Sequence, residues 1–128
     1  MGRKTYEEVL GFGVEWPYNN CKSYIVSLKD IKISTDNTSL MRDIEMDVKA
    51  LKEKKGDKDI WLVGGGKLIS AFLDLELIDE MIITIIPIIL GNGIRLFPDN
   101  PLETKFELKS CIKFDAGIVN LTYTRKLS

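Results

Sequence analysis

The residues with the clearest chemical potential lie in Asp59-Ile60-Trp61-Leu62-Val63-Gly64-Gly65-Gly66-Lys67-Leu68-Ile69. An apolar run of strand length breaks into three glycines. Apolar residues then resume with helical spacing at Leu68, Ile69, Phe72 and Leu73. A buried strand, a turn without side chains and a helix start, in that order, suit a phosphate-like anion. Glycine reaches positive φ and lets a ligand approach the main chain closely. A helix start adds free N–H groups and the positive end of its dipole, and Lys67 brings a mobile cation to the mouth. The spacing is that of neither a P-loop nor the six-residue dinucleotide fingerprint. By residue type alone, a tight strand-to-helix turn explains the three glycines equally well.

A second, weaker anion candidate lies at the start of the chain. Met1 to Leu10 reads as a short helix closed by Gly11 and Gly13, with Glu7 and Glu8 in its first turns. Gly2, Arg3, Lys4 and Thr5 set a glycine and a basic-polar trio at that helix start. Exposed basic residues near a terminus are ordinarily just solvated. A third candidate is Thr84, the one hydroxyl in the apolar run Met81 to Pro87. Composition favours a buried threonine bonded to nearby backbone over one that faces a ligand pocket.

The elements that must position these residues follow from periodicity. Ser23 to Leu28 reads as a strand and Ile31 to Ser34 as a short edge strand. Asp36-Asn37-Thr38-Ser39 is a cluster of helix-capping types, followed by an apolar stripe at Leu40, Ile44, Val48 and Leu51 and a terminating Gly56. Asp59 to Val63 predicts a buried strand, with the helix after the glycines running to about Leu75. Met81 to Pro87 predicts a central strand covered on both faces. Gly91-Asn92-Gly93 and Pro98 to Pro101 are breaks, and Trp16-Pro17-Tyr18-Asn19-Asn20 is a turn. Phe106 to Phe114 and Val119 to Arg125 alternate around Asp115-Ala116-Gly117, an antiparallel hairpin. Strands alternating with helices before a hairpin predict an α/β domain of three layers, with a mixed sheet.

Composition narrows the function classes. The 128 residues suit one domain, and 45% hydrophobic with 29% charged residues is a globular balance. A net charge of −1 argues against a broad electrostatic grip on nucleic acid or an anionic membrane. There is no histidine, and Cys21 and Cys111 lie far apart, so no zinc site is expected. With no apolar leader and two free thiols, the expectation is a cytoplasmic protein. The apolar run Met81 to Leu90 is too short to span a bilayer. Without histidine or a nucleophile–base pair, hydrolytic and metal-assisted chemistry is disfavoured.

Taken together, three segments resemble the dihydrofolate reductase superfamily. Met1-Gly-Arg-Lys-Thr-Tyr-Glu is similar to its MGRxTYE segment, and Ile60-Trp-Leu-Val-Gly-Gly-Gly-Lys-Leu-Ile to its second nucleotide-binding turn. Leu77 to Phe97 resembles its (L/V)DEL…T…P(V/I)(L/I)LGxGxxLF block. That block and Trp16-Pro17-Tyr18 favour the branch of the riboflavin-biosynthesis reductase, the C-terminal domain of the bifunctional deaminase-reductase. The resemblance spans the chain as a single domain. It implies a three-layer α/β/α fold with a mixed, mostly parallel sheet and a C-terminal antiparallel hairpin.

The resemblance also implies NADPH as cofactor. Gly2, Arg3 and Thr5 match the helix start at the adenosine end, with Arg3 facing the 2′-phosphate and Ser27 assisting. Val63, Gly64, Gly65, Gly66, Lys67 and Leu68 match the pyrophosphate cradle, and Thr84 matches a strand threonine near the substrate. The two anion sites would then serve one ligand. The implied reaction is hydride transfer to a small heterocycle, a dihydrofolate-like pteridine or a ribosylaminopyrimidine, by a homodimer. No catalytic acid is assigned. Family members carry a strand, a helix and a second strand ahead of the Met-Gly-Arg segment, so a truncated N-terminal side is expected. That leaves a non-catalytic nucleotide-binding or dimerisation module, or an inactive fragment, as the alternative.

Overall fold

The computed structural model describes residues 1–54, 56 and 58–127. The chain enters helix α1 (Arg3–Leu10) through Gly2, and the Gly11 N–H closes it on the carbonyls of Glu7 and Glu8 at 3.1 and 3.0 Å. Because the helix starts at Arg3, no acidic residue lies in its first turn. The expected pairing of Glu7 and Glu8 with the positive dipole end is therefore corrected: that end carries Arg3 and Lys4 instead.

Strand β1 (Ser23–Val26) pairs in parallel with β2 (Thr38–Met41), from Ser23↔Thr38 to Val26↔Met41. Leu40 thus belongs to a strand, not to the helix stripe expected of it. Thr38 and Ser39 are ladder residues, and the actual cap is Asp43, whose Oδ1 accepts the Met46 N–H at 3.1 Å. It opens helix α2 (Ile44–Lys54), with Glu45 and Asp47 in the first turn and Lys52 and Lys54 in the last, as the dipole favours. Gly56, at φ +61°, stands beyond it in the left-handed region. The expected strand at Ile31–Ser34 does not form. Its backbone is held by a side chain instead: the Ser34 N–H donates to the Tyr6 phenol at 3.2 Å, and Thr35 Oγ1 lies 2.9 Å from the same oxygen.

The expected strand at Asp59–Val63 is also absent, since no described strand lies beside this segment as a ladder partner. Trp61 is 70% exposed. Helix α3 (Gly66–Asp74) follows the glycines as predicted, and then a three-stranded antiparallel sheet in the order β3-β5-β4. Its strands are β3 (Glu80–Ile85), β4 (Phe106–Lys113) and β5 (Val119–Arg125). The β4–β5 hairpin turns where expected, with Gly117 at φ +86° and its N–H on the Phe114 carbonyl at 2.9 Å. Among the described residues β3 pairs with β5 alone, so it is an edge strand and not the expected central one, and the expected covering of both faces is corrected too: Ile82 and Ile85 are more than half exposed. The mixed α/β architecture therefore combines a parallel and an antiparallel sheet.

The core lies where α2, α3 and β2 meet. Met41, Val48, Phe72 and Leu77 are buried together there, with Tyr24, Val26, Leu62 and Leu68 packed around them. Lys52 ties the last turn of α2 to the chain ahead of β3, reaching the Leu77 carbonyl at 3.1 Å and Asp79 at 2.7 Å.

Candidate functional site: a corner between two helix starts

Two helices begin at one point. The Gly2 N–H donates to the Gly64 carbonyl at 2.8 Å, which joins the start of α1 to the glycine turn before α3. Gly2 is held against the end of β1 as well, by a parallel bridge to Val26 and the Val26 N–H on the Met1 carbonyl at 2.9 Å. Gly64 is buried with φ +121°, a value side-chain-bearing residues rarely adopt, and the Gly64–Gly65 peptide is cis. A Cβ on Gly65 would lie 3.4 Å from Thr5 Oγ1, so Thr5 faces the turn. The sequence separates these residues by some sixty positions; the fold makes them one corner.

The corner is rich in free donors. Intrahelical bonding begins only with Tyr6 N–H on the Gly2 carbonyl in α1 and Ile69 N–H on the Gly65 carbonyl in α3, both at 3.0 Å. The N–H groups of Arg3, Lys4, Thr5, Gly66, Lys67 and Leu68 therefore precede the helical ladder. Neither helix has a side-chain cap. Each start carries about half a positive charge from its dipole, and Arg3, Lys4 and Lys67 make no ion pair among the described residues. Preorganised N–H groups with spare cations suit an anionic, phosphate-bearing ligand.

Tyr6 anchors this corner from below. It is 1% exposed, and its ring meets Trp16 edge-on at 5.2 Å, the first contact of a series that continues through Tyr18 to Trp61. Burial raises the pKa of its phenol, but the hydrogen bonds from Thr35 and Ser34 outweigh that, leaving it below the usual value.

The other predicted residues divide by what their side chains touch. Gly66 is kept small by packing as well: a Cβ there would meet Pro98 Cδ at 2.9 Å and Cγ at 3.0 Å, while its N–H stays among the free donors of the α3 start. The Pro98 carbonyl accepts the hydroxyl of buried Ser70, so the loop is fixed against α3. Val63 and Leu68 line an apolar cleft of about 290 Å³ with Tyr24, Met41 and Trp61. Ser27 is buried beside it, but its hydroxyl is engaged with Lys29, donating to the carbonyl at 2.9 Å and accepting the N–H at 3.1 Å.

Thr84 stands apart, on β3. It is exposed rather than buried, and it bonds no backbone: its Oγ1 donates to Asn120 Oδ1 on β5 at 2.8 Å. Composition favoured the opposite on both counts. Asn120 escapes a reading of the sequence because only the β3–β5 register, Thr84↔Asn120, brings it there. Among the described residues, no cluster of His, Cys, Asp or Glu could hold a metal, and no helix is long and apolar enough to cross a membrane.

Comparison with known proteins accords with this geometry. The family model of the RibD C-terminal domain matches residues 20–120. The uncharacterized Bacillus subtilis (strain 168) protein YwjB is 35% identical over 98% of this chain and 71% of its own length. A crystal structure from Shewanella sp. PV-4, named "Putative riboflavin biosynthesis protein", superposes with a TM-score of 0.85 at 32% identity. That match covers 99% of this chain and 72% of the other. Acinetobacter baumannii RibD shares the fold, with a TM-score of 0.61 at 22% identity over 81% of this chain and 31% of its own. The chain belongs to the RibD C-terminal domain family, with its reductase-like fold.

Proposed function

We propose that this chain is an NADPH-dependent reductase that delivers hydride to a small heterocycle, a dihydrofolate-like pteridine or a ribosylaminopyrimidine. The observation that carries the reading is the convergence of two uncapped helix starts at the Gly2–Gly64 contact. The residues fit a dinucleotide diphosphate: free N–H groups at both starts, a buried glycine at φ +121°, and Arg3, Lys4 and Lys67 without an ion pair among the described residues.

In this reading the α3 start, with Gly64, Gly65, Gly66, Lys67 and the Leu68 backbone, holds the pyrophosphate, while the α1 start, with Gly2 and Thr5, holds the adenosine end. Arg3 pairs with the 2′-phosphate through its planar fork, which distinguishes NADPH from NADH. Ser27 assists only if its hydroxyl turns from Lys29. NADPH, when bound, would supply the hydride; the protein supplies position, and a misplacement of about 1 Å can cost such a transfer on the order of 100-fold. Thr84 contacts the heterocycle.

The test is reduced-nicotinamide consumption with each heterocycle in turn, against a Gly65→Val control. Turnover with either substrate that disappears in the control supports the reading. Turnover surviving Gly65→Val, or tight NADPH binding without reduction of any heterocycle, would overturn it.

A further inference from the structure

We infer that the apolar cleft between β1 and residues 60–63 is a strand-acceptor slot, filled by an extended polypeptide strand that leads into Met1 and runs parallel to β1. The inference stands on backbone geometry and is independent of the reductase reading above.

Met1 and Gly2 already form the last rungs of such a strand. On one side they bond β1: the Met1 nitrogen donates to the Tyr24 carbonyl at 2.9 Å, and the Met1 carbonyl accepts the Val26 N–H at 2.9 Å. The Gly2↔Val26 bridge is parallel. On the other side the Gly2 N–H donates to the Gly64 carbonyl at 2.8 Å. Met1–Gly2 and residues 60–64 lead into two helices that start at one corner, so both run the same way. A strand continued back from Met1 is therefore parallel to both neighbours and bonded on both edges.

The ladder fixes the next rungs. The Ser23 and Ser27 N–H groups go to Asn37 and Met41 on the β2 side, so the alternate residues Lys22 and Tyr24 turn their backbone groups to the slot. The residue two before Met1 meets the Tyr24 N–H and the Lys22 carbonyl. The residue just before Met1 meets the Gly64 N–H and the Leu62 carbonyl. By the Gly2↔Val26 register it lies level with Tyr24, on the face that packs on Met41, Val48 and Phe72. It overlies the cleft of about 290 Å³, lined there by Leu62, Leu68 and Phe72, and an apolar side chain is the one that fits.

Further observations favour a strand as the occupant. Residues 60–63 have strand composition, a Trp61 that is 70% exposed and no ladder partner among the described residues; the added strand is that partner. The chain presents 9747 Å² of accessible surface, against about 6,900 Å² for a folded monomer of its 14.5 kDa. Surface therefore remains for a further segment to cover. The chain spans 71% of YwjB and 72% of the Shewanella protein, so both relatives have polypeptide enough for such a strand.

The experiment adds four residues ahead of Met1 and reads backbone amide exchange by NMR. Thr-Val-Thr-Val places valine just before Met1, Val-Thr-Val-Thr shifts the pattern by one residue, and Gly-Ser-Gly-Ser is the control of equal length. Thr-Val-Thr-Val should slow exchange at Tyr24 and Gly64 by about tenfold or more relative to the control. It should also raise the melting temperature by about 5 °C. Val-Thr-Val-Thr should do much less, because the shift turns both valines away from the cleft. No nucleotide is added, so the outcome does not depend on whether the corner binds NADPH. Equal exchange in the three extended chains would overturn the slot, and so would an apolar extension that unfolds the chain while Gly-Ser-Gly-Ser does not. Protection of the same amides that grows with concentration of the unextended chain would place a second copy there and overturn the continuous strand.

Discussion

Gly66→Ala is a substitution whose sign separates packing from local propensity. Alanine in place of a helical glycine ordinarily stabilises by about 0.5–1 kcal/mol, because the unfolded chain loses freedom. Here the new Cβ would lie 2.9 Å from Pro98 Cδ, 3.0 Å from Cγ and 3.4 Å from the Arg95 carbonyl. The proline ring cannot rotate away, and its carbonyl is tied to Ser70 on the same helix. Such overpacking costs about 1–3 kcal/mol, which lowers the melting temperature of a chain this size by roughly 3–15 °C. Thermal unfolding followed by circular dichroism would read it. Pro98→Ala removes both ring contacts, so in that background the alanine at 66 should become neutral or stabilising. A higher melting temperature in the single variant, or an equal cost in both backgrounds, would refute the packing assignment.

Two further substitutions test the corner's supports. Gly64→Ala should cost about 1–3 kcal/mol from backbone strain alone, since φ is +121° and no atom lies within 4 Å of the added carbon. Gly65→Ala should cost less, and urea denaturation showing the two alike would count against the strain. Tyr6→Phe leaves the Ser34 N–H, on an exposed residue, to water in place of its acceptor, at a cost of about 0.5–1.5 kcal/mol. Limited proteolysis should then cut the 29–37 loop faster, and unchanged cleavage would remove the tether from the account.

Local signals carried part of this fold. α1, α3 and the β4–β5 hairpin announce themselves through glycine stops, helical spacing and alternation, which depend only on neighbouring residues. Errors arose where a partner distant in sequence decides. Thr38 and Ser39 have the chemistry of helix caps, but pairing with Ser23 and Tyr24 makes them a strand. Ile31–Ser34 alternates like a strand, yet Tyr6 captures its backbone first. Asp59–Val63 has strand composition without a described strand to pair with, and composition cannot supply the ladder.

The site divides in the same way. Glycines and lysine at a helix start were legible at Gly64–Lys67 and at Gly2–Thr5 as separate candidates. That Gly2 bonds Gly64 is a tertiary fact; the family resemblance implied only that the two candidates serve one ligand. Residue type could not tell that Gly66 is kept small by Pro98, or that Thr84 meets Asn120. Both depend on segments that approach only after folding.

The most direct measurement is calorimetric titration of NADPH and NADH into wild type and Arg3→Ala. The corner predicts binding of both, with NADPH tighter. Loss of Arg3 should weaken NADPH by about 10- to 100-fold, the value of a charge-assisted contact to phosphate, and weaken NADH far less. Equal losses for both would contradict the role of Arg3, and no binding of either by the folded protein would contradict the nucleotide site itself.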